Sequence, residues 1–179
     1  MRPTWWEIVV IAVLLAVLAV FLWPVRVNGP PGWQSVCMNN IRQIGFAMLL
    51  YAGEHDGRYP ESLGVLLKEE PLLSPKTFIC RASGNKVPVD FPKVRPANPD
   101  LSMLDGVDAW SDYVMVKGIN HAGRKDVIVL YEKPGRHKGD GRHCFFDDGH
   151  VERLSEADFQ ERMKTQEARM PEMREKGVE

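Results

Sequence analysis

The sequence lacks the features that would place it in a common class of enzyme or nucleic-acid-binding protein. Its three cysteines form no Cys-x-x-Cys pair, which argues against a zinc ribbon or a thioredoxin-like motif. Gly-x-Ser-x-Gly, His-Glu-x-x-His and Gly-rich phosphate-binding motifs are also missing. The formal net charge is -1, so no bulk attraction to nucleic acid is expected. We therefore predict a protein that is not an enzyme and has no nucleic-acid partner.

What the chain does have is one long apolar run near its start. Residues 8–23 read IVVIAVLLAVLAVFLW, sixteen apolar residues without a break. With Trp5 and Trp6 the segment approaches the ~20 residues needed to cross a bilayer, and tryptophan at both ends suits the membrane interface. A cleaved signal peptide needs a shorter apolar core and a small-residue cleavage site, which WPVRVNG does not offer. The pattern predicts a transmembrane anchor helix over residues 1–24.

The rest of the chain predicts an α+β domain. A Pro/Gly linker at residues 25–33 should separate the anchor from a domain at residues 34–154, which the resemblance described below implies is exported, and residues 155–179 should form a charged helical tail. A helix beginning near Gln34 has one apolar stripe, made of Cys37, Ile41, Ile44, Met48 and Tyr51. Four segments have strand length and strand composition: SDYVMV, DVIVLYE, RHCFFD and HVERL. We expect the amphipathic helix to pack on a roughly four-stranded antiparallel sheet.

The three cysteines allow one disulfide and one free thiol if the domain is exported. Cys37 with Cys80 is the favoured pair, because Cys144 lies in an apolar strand pattern. Spacing alone leaves three buried, reduced thiols as an equal alternative.

The segment GRHCFFDDGHVERL, residues 141–154, concentrates the polar chemistry of the chain. Asp148 and Gly149 predict a two-residue type I′ turn. That turn makes Asp147 a direct cross-strand neighbour of His150. It assigns one face, directed toward the helix, to Cys144, Phe146, Val151 and the stem of Arg153. It assigns the other face to His143, Phe145, Asp147, His150, Glu152 and Leu154.

Three functions are compatible with this hairpin. A divalent metal could be bound by Asp140, Asp147 and His150, with His137 folding over from the preceding loop. A histidine beside an aspartate also suits acid–base catalysis, but no nucleophile is placed beside it. The favoured interpretation is structural: an Asp–His hydrogen bond that stabilises the turn. We predict no required cofactor, with calcium or another divalent metal as the alternative.

Several of these segments resemble the pilin-like proteins, or pseudopilins, of the type II secretion and type IV pilus class. The sequence PTWWE leads into the apolar run, and Pro24 lies seventeen residues after Glu7, the spacing of a prepilin-type N-terminal segment. The stretch CMNNIRQIGFAMLLYAGEHDGRYPESL is similar to the helix and following turn of the group that carries a C-terminal H-x9-DG signature. FFDDGHVERL resembles its ending, although ten residues rather than nine separate His137 from Asp148.

The resemblance implies a pilin-like fold and a single-pass protein of the inner membrane. Its N-terminus would be cytoplasmic and its C-terminal domain periplasmic, with other pilin-like subunits or inner-membrane secretion components as partners. In the family, the counterpart of Glu7 pairs with the terminal amine of the next subunit, and Pro24 matches the helix proline. The signature residues are His137, Asp147, Asp148, Gly149 and His150. Some pseudopilins also bind calcium in a loop of the sheet.

Two functions follow from these observations. The first is a non-catalytic pseudopilin-like structural subunit of a secretion or pilus-type assembly, favoured by the Glu7–Pro24 spacing and the helix match. The alternative is a stand-alone anchored periplasmic domain that binds a ligand or metal and does not polymerise. The NGPPG break and the arginine at position 2, where the family has the glycine before its cleavage point, favour the alternative.

Overall fold

The computed structural model describes residues 5–22, 30–69, 73–89, 91, 106–137 and 141–175. Its helices are α1 (Trp5–Leu22), α2 (Pro30–Glu54), α3 (Leu63–Glu69), α4 (Val107–Trp110) and α5 (Glu156–Glu175), with a 3₁₀ turn at Pro75–Phe78. Its strands are β1 (Tyr113–Met115), β2 (Ile128–Glu132), β3 (Arg142–Phe146) and β4 (Val151–Leu154). Among the described residues, none of the helices is long and apolar enough to cross a membrane.

The strands form one antiparallel sheet in the order β1-β2-β3-β4, so each strand pairs with its neighbour in the sequence. Short connections suffice for this meander, because antiparallel neighbours need only a turn between them. The predictions of an α+β class and of a four-stranded antiparallel sheet are confirmed.

Helix α2 packs across one face of the sheet along the stripe that the sequence indicates. Cys37, Ile41, Ile44 and Met48 are fully buried in the main core. The helix comes close to β3 at Gly45, where an added Cβ would lie 2.4 Å from the Phe145 ring. The helix begins at Pro30 and not near Gln34, so the second half of the predicted linker is helical. Proline is tolerated in the first turn of a helix, because its missing N–H has no helical partner there.

Helix α5 covers the opposite face of the sheet, so the charged tail is part of the domain and not an appendage to it. Ser155 caps the helix, its Oγ accepting from the Asp158 N–H at 3.1 Å and donating to the Asp158 carboxylate at 2.7 Å. Phe159 and Leu154 belong to a second apolar cluster on this face. The sheet is therefore enclosed between α2 and α5, and every residue of β3 is buried.

The β3–β4 hairpin differs from the predicted one by one residue of register. Phe145 pairs with Val151, and the Gly149 N–H donates to the Phe146 carbonyl at 2.9 Å. The turn thus has three central residues, and Gly149 closes it with a φ of 92°. This geometry is a type I turn followed by a bulge, whereas a type I′ turn needs a positive φ at Asp148 as well. The predicted Asp147–His150 cross-strand pair is therefore wrong.

The change of register also turns the side chains of β3 over, while Val151 and Leu154 of β4 keep the faces that the sequence predicts. Phe145 and Val151 point to the α2 side, where the Phe46 and Phe145 rings meet edge to face at 5.6 Å. Cys144 and Phe146 lie on the α5 side with Phe159. The predicted assignment of Cys144 and Phe146 to the face under the amphipathic helix is wrong, because a shift of one residue turns a strand's side chains over.

Candidate functional site

Asp147, the first residue of the hairpin turn, is fully buried and accepts hydrogen bonds from two other segments of the chain. Its Oδ1 accepts from the Tyr59 hydroxyl at 2.5 Å and lies 2.8 Å from His121 Nδ1. Its Oδ2 accepts from the backbone N–H groups of Ala122 (3.1 Å) and Arg124 (3.0 Å) and from Arg124 Nε (3.1 Å). We call Asp147, Tyr59, His121 and Arg124 the Asp147 cluster. It joins the turn after α2, the β1–β2 loop and the hairpin.

The Asp147 cluster keeps its carboxylate charged. Burial raises the pKa of Asp147, but the hydrogen bonds from Tyr59, His121 and Arg124 together lower it by a larger amount. The pKa of Asp147 therefore lies below its ordinary value. Burial and the same carboxylate raise the pKa of the Tyr59 hydroxyl, which keeps it protonated as a donor. With five donors on two oxygens, Asp147 is already saturated as an acceptor.

The hairpin does not bring the predicted metal ligands together. Asp147 is buried, whereas His150 is exposed. The Nδ1 atom of His150 pairs with the carboxylate of Asp148, the residue after Asp147. The His150 ring stacks on Phe146 with centroids 4.1 Å apart. Asp140, the third candidate, lies outside the described residues. The Asp–His bond of the turn therefore exists, but it joins Asp148 to His150 and not Asp147 to His150.

A second buried carboxylate, Glu132, lies at the end of β2 between two histidines. Its Oε1 is 3.1 Å from His137 Nε2. Its Oε2 accepts from the backbone N–H of His143 at 2.8 Å and lies 2.9 Å from His143 Nδ1. Burial raises the pKa of Glu132, but the hydrogen bonds and charge of His143, together with the bond to His137, lower it below its ordinary value. We call these three residues the Glu132 cluster.

A disulfide between Cys37 and Cys80 lies against the Glu132 cluster. It ties α2 to the segment after the 3₁₀ turn, with Cα atoms 5.1 Å apart, and is the pairing that the sequence favoured. The Cys80 sulfur is 3.6 Å from His137 Nε2. Cys144 is the free cysteine of the chain, and burial raises the pKa of its thiol to about 12. His137 of the signature thus contacts the disulfide and Glu132, far from the turn that the signature's other residues form.

Asp112, at the start of β1, holds the Cys80 segment in place. This buried carboxylate accepts from the Cys80 backbone N–H at 2.8 Å, from Ser83 Oγ at 2.6 Å and from Asn85 Nδ2 at 2.6 Å. It also lies 3.0 Å from Arg136 Nε, one residue before His137. Asp112 therefore positions both the cysteine and the histidine that meet at the Glu132 cluster.

Part of this site is visible in the sequence. The sequence indicates Asp147 of the Asp147 cluster, His137 of the Glu132 cluster, and the Cys37–Cys80 disulfide that lies against the latter. The sequence does not indicate which residues contact these four; the structure shows that they are Glu132, His143, Tyr59, His121, Arg124 and Asp112. A carboxylate that ends an otherwise apolar strand, as in IVLYE, is the one local signal that could have indicated Glu132. Of the assembly residues, Glu7 lies exposed on α1, and Pro24 is outside the described residues.

The chemistry available at the Glu132 cluster differs from that at the Asp147 cluster. The Asp147 carboxylate has every oxygen occupied by donors of its own fold. Beside Glu132, two sulfurs, one imidazole nitrogen and one carboxylate oxygen, from Cys37, Cys80, His137 and Glu132, lie within 4.8 Å of one another. Comparison of the chain with known protein families, with curated proteins and with solved structures finds no match.

Proposed function

We propose that this protein is a membrane-anchored, non-catalytic, pseudopilin-like structural subunit of a secretion or pilus-type assembly. The observation that carries the proposal is the surface of α1. The exposed large apolar side chains of this helix are Trp5, Trp6, Val9, Val10, Ile11, Val13, Leu14, Leu15, Val17 and Leu18. They occupy all sides of the helix, which therefore has no polar face to turn toward water.

A helix of this kind is stable where its whole surface is removed from water, either in a core or in lipid. The apolar run of the sequence continues to Trp23, beyond the part of α1 whose side chains the structure describes. A run of this length favours lipid over a protein core as the surroundings of the helix. We place the protein in the inner membrane as a single-pass protein, with its N-terminus in the cytoplasm.

The Cys37–Cys80 disulfide supports a periplasmic position for the globular domain. Structural disulfides persist in oxidising compartments and are rare in a reducing cytosol. The saturated carboxylate of Asp147 supports a non-catalytic role, because an acid or base already bonded to five donors is unavailable to a substrate.

Exposed apolar side chains on α2 support contact with other pilin-like subunits. Trp33, Phe46 and Leu50 are 48%, 50% and 61% exposed, although they lie on a helix whose other face forms the core. Large apolar groups left at the surface favour protein association. Glu7, at the start of α1, is the charged group that the resemblance assigns to contact with a neighbouring subunit's terminal amine.

The first experiment locates the full-length protein in native cells. We expect it in the membrane fraction after an alkaline wash, with the domain digested by protease added to spheroplasts. Intact mass and N-terminal sequencing then show whether the chain starts at Met1 or near Pro3. Recovery in the soluble fraction, or a domain protected in intact spheroplasts, would contradict the proposed anchor or its orientation.

The second experiment tests assembly with a photo-crosslinking residue at Leu14 in α1. We expect crosslinks to copies of this chain or to other small membrane proteins of pilin type. Lys164, on the exposed face of α5, is the matched control position. Glu7→Gln should weaken the Leu14 crosslinks while the protein stays in the membrane. A membrane-bound protein that crosslinks only to lipid would favour the stand-alone anchored domain over a structural subunit.

A further inference from the structure

The described residues contain a group of four metal-ligating side chains that the proposed function does not use. Cys37, Cys80, His137 and Glu132 are all buried, and one ligand atom from each lies within 4.8 Å of every other. They come from α2, from the segment after the 3₁₀ turn, from the loop after β2 and from β2 itself. No local motif brings them together, so the fold alone creates this donor set.

We propose that this group is a zinc site when the disulfide is reduced. The ligands are the thiolates of Cys37 and Cys80, Nε2 of His137 and Oε1 of Glu132. Two sulfurs, one imidazole nitrogen and one carboxylate oxygen form a set that zinc binds in tetrahedral geometry. Calcium does not fit, because it takes six to eight oxygen ligands and the site offers sulfur.

Two of the distances between the donor atoms are close to those of a zinc tetrahedron. With Zn–S of about 2.3 Å and Zn–N or Zn–O of about 2.05 Å, a sulfur and a nitrogen ligand lie about 3.6 Å apart, and a nitrogen and an oxygen about 3.3 Å apart. The structure has 3.6 Å between Cys80 Sγ and His137 Nε2, and 3.1 Å between His137 Nε2 and Glu132 Oε1. The two sulfurs must separate, to about 3.8 Å, once their bond is broken.

The surroundings of Glu132 suit a metal ligand. His143 holds Oε2 through its backbone N–H and its Nδ1, which leaves Oε1 directed at His137. Groups that orient a ligand in this way strengthen metal binding. The site is closed, as in zinc sites that stabilise a fold.

The two forms exclude each other, and the exchange between them balances. A dithiol reductant supplies two electrons and two protons: the Cys37–Cys80 bond breaks, each sulfur becomes a thiol, and the reductant becomes its own disulfide. Zinc then displaces both thiol protons and binds neutral His137 through Nε2. A disulfide oxidant reverses the sequence: the Cys37–Cys80 bond forms, the ion is released, and the oxidant takes two electrons, and two protons from water, to become two thiols. The domain is thereby cross-linked at the same place by either a covalent bond or a metal.

The test uses the full-length chain in detergent micelles, prepared with a phosphine reductant and, separately, without it. A thiol count in denaturant verifies the state, with three thiols in the reduced form and one in the oxidised form. Zn²⁺ alone is titrated against a chromophoric chelator, and Co²⁺ in its place reports thiolate ligation by charge-transfer absorption. We expect one tightly bound ion in the reduced protein and none at this site in the oxidised protein.

Variants assign the ligands. His137→Ala should weaken zinc binding at least 100-fold, and His143→Gln, which changes only the group that orients Glu132, by 10- to 100-fold. Cys144→Ser and His150→Ala should bind as the unchanged protein does, because neither residue belongs to the set. The oxidised form of His137→Ala retains the disulfide, so its near-ultraviolet circular dichroism verifies the fold independently of metal. A reduced protein that binds no zinc, or binding that His137→Ala leaves unchanged, would overturn the proposal.

Discussion

Gln166 of α5 hydrogen-bonds to both backbone polar groups of Ile128 on β2. Its side-chain oxygen accepts from the Ile128 N–H at 2.8 Å, and its side-chain nitrogen donates to the Ile128 carbonyl at 2.8 Å. The strand is irregular here, because the β2–β3 register shifts between Ile128 and Leu130. A glutamine side chain thus replaces the strand partner that the bulge removes, in a fully buried position.

We therefore expect Gln166→Ala to destabilise the domain by about 2–4 kcal/mol, because it leaves a buried N–H and a buried C=O without partners. Urea unfolding of the full chain in micelles measures the change. Gln160→Ala is the matched control: it lies on the same helix, but its side chain bonds to Glu156 at the surface. Equal losses for the two variants would contradict this role of Gln166.

Gly45 of α2 is required by the close approach of Phe145. Gly45→Ala should cost about 1–3 kcal/mol of unfolding free energy, because its Cβ would lie 2.4 Å from the ring and force the helix or the strand to move. The same change at Gly53, also on α2, meets no atom within 4 Å. Gly53→Ala should be neutral or stabilising by up to about 1 kcal/mol through helix propensity. Urea midpoints with opposite shifts for the pair would support the packing argument.

The Asp147 cluster makes stability depend on pH in a specific direction. The pKa of Asp147 lies below its ordinary value in the folded protein, so the full contribution of this carboxylate is present above the pKa of an unfolded aspartate, about 4. The contribution is lost as the pH falls through the folded pKa. Asp147→Asn should lower stability at pH 7 by about 3 kcal/mol, because a neutral amide cannot satisfy the same donors. Unfolding measured between pH 7 and pH 2 should show a shallower acid slope in this variant.

The slope should not vanish, since the pKa of Glu132 is lowered as well and its carboxylate adds a dependence of the same sign. Asp148→Asn is the control, because Asp148 is a neighbouring turn residue whose only described partners are in its own turn. It should change stability by less than about 1 kcal/mol at pH 7. An acid slope that Asp147→Asn leaves unchanged would contradict the assignment.

The disulfide should contribute about 4 kcal/mol to stability, from the loop entropy of a cross-link that spans 43 residues. Cys37→Ser with Cys80→Ser should lose this amount without reductant. In metal-free buffer, the unchanged protein should fall toward the stability of that double variant when reductant is added. Cys144→Ser should remain sensitive to reductant, since Cys144 is outside the cross-link. Reductant-insensitive unfolding of the unchanged protein would contradict a stabilising disulfide.

Much of the fold could be predicted from local patterns. The stripe of α2 and the four strands each repeat or end within a few residues, and the structure has them where the sequence indicates. For α5 the sequence predicts only a charged helical tail, because the apolar residues of this helix are too sparse to show which face packs on the sheet. Its packing depends on a few buried groups, among them Phe159 and Gln166, which no period makes visible.

The sequence therefore specifies the helices and strands and the apolar stripe of α2, because periodicity is a property of neighbouring residues. The hairpin register depends on the type of one turn, and a shift of one residue there turns the side chains of β3 to the other face, so it is settled by the fold as a whole. The composition of the Asp147 cluster and of the Glu132 cluster also depends on the tertiary structure. Asp147 meets Tyr59 from 88 residues away, and Cys80 meets His137 across 57. Such contacts follow from how the helices and strands pack, and no spacing in the chain records them.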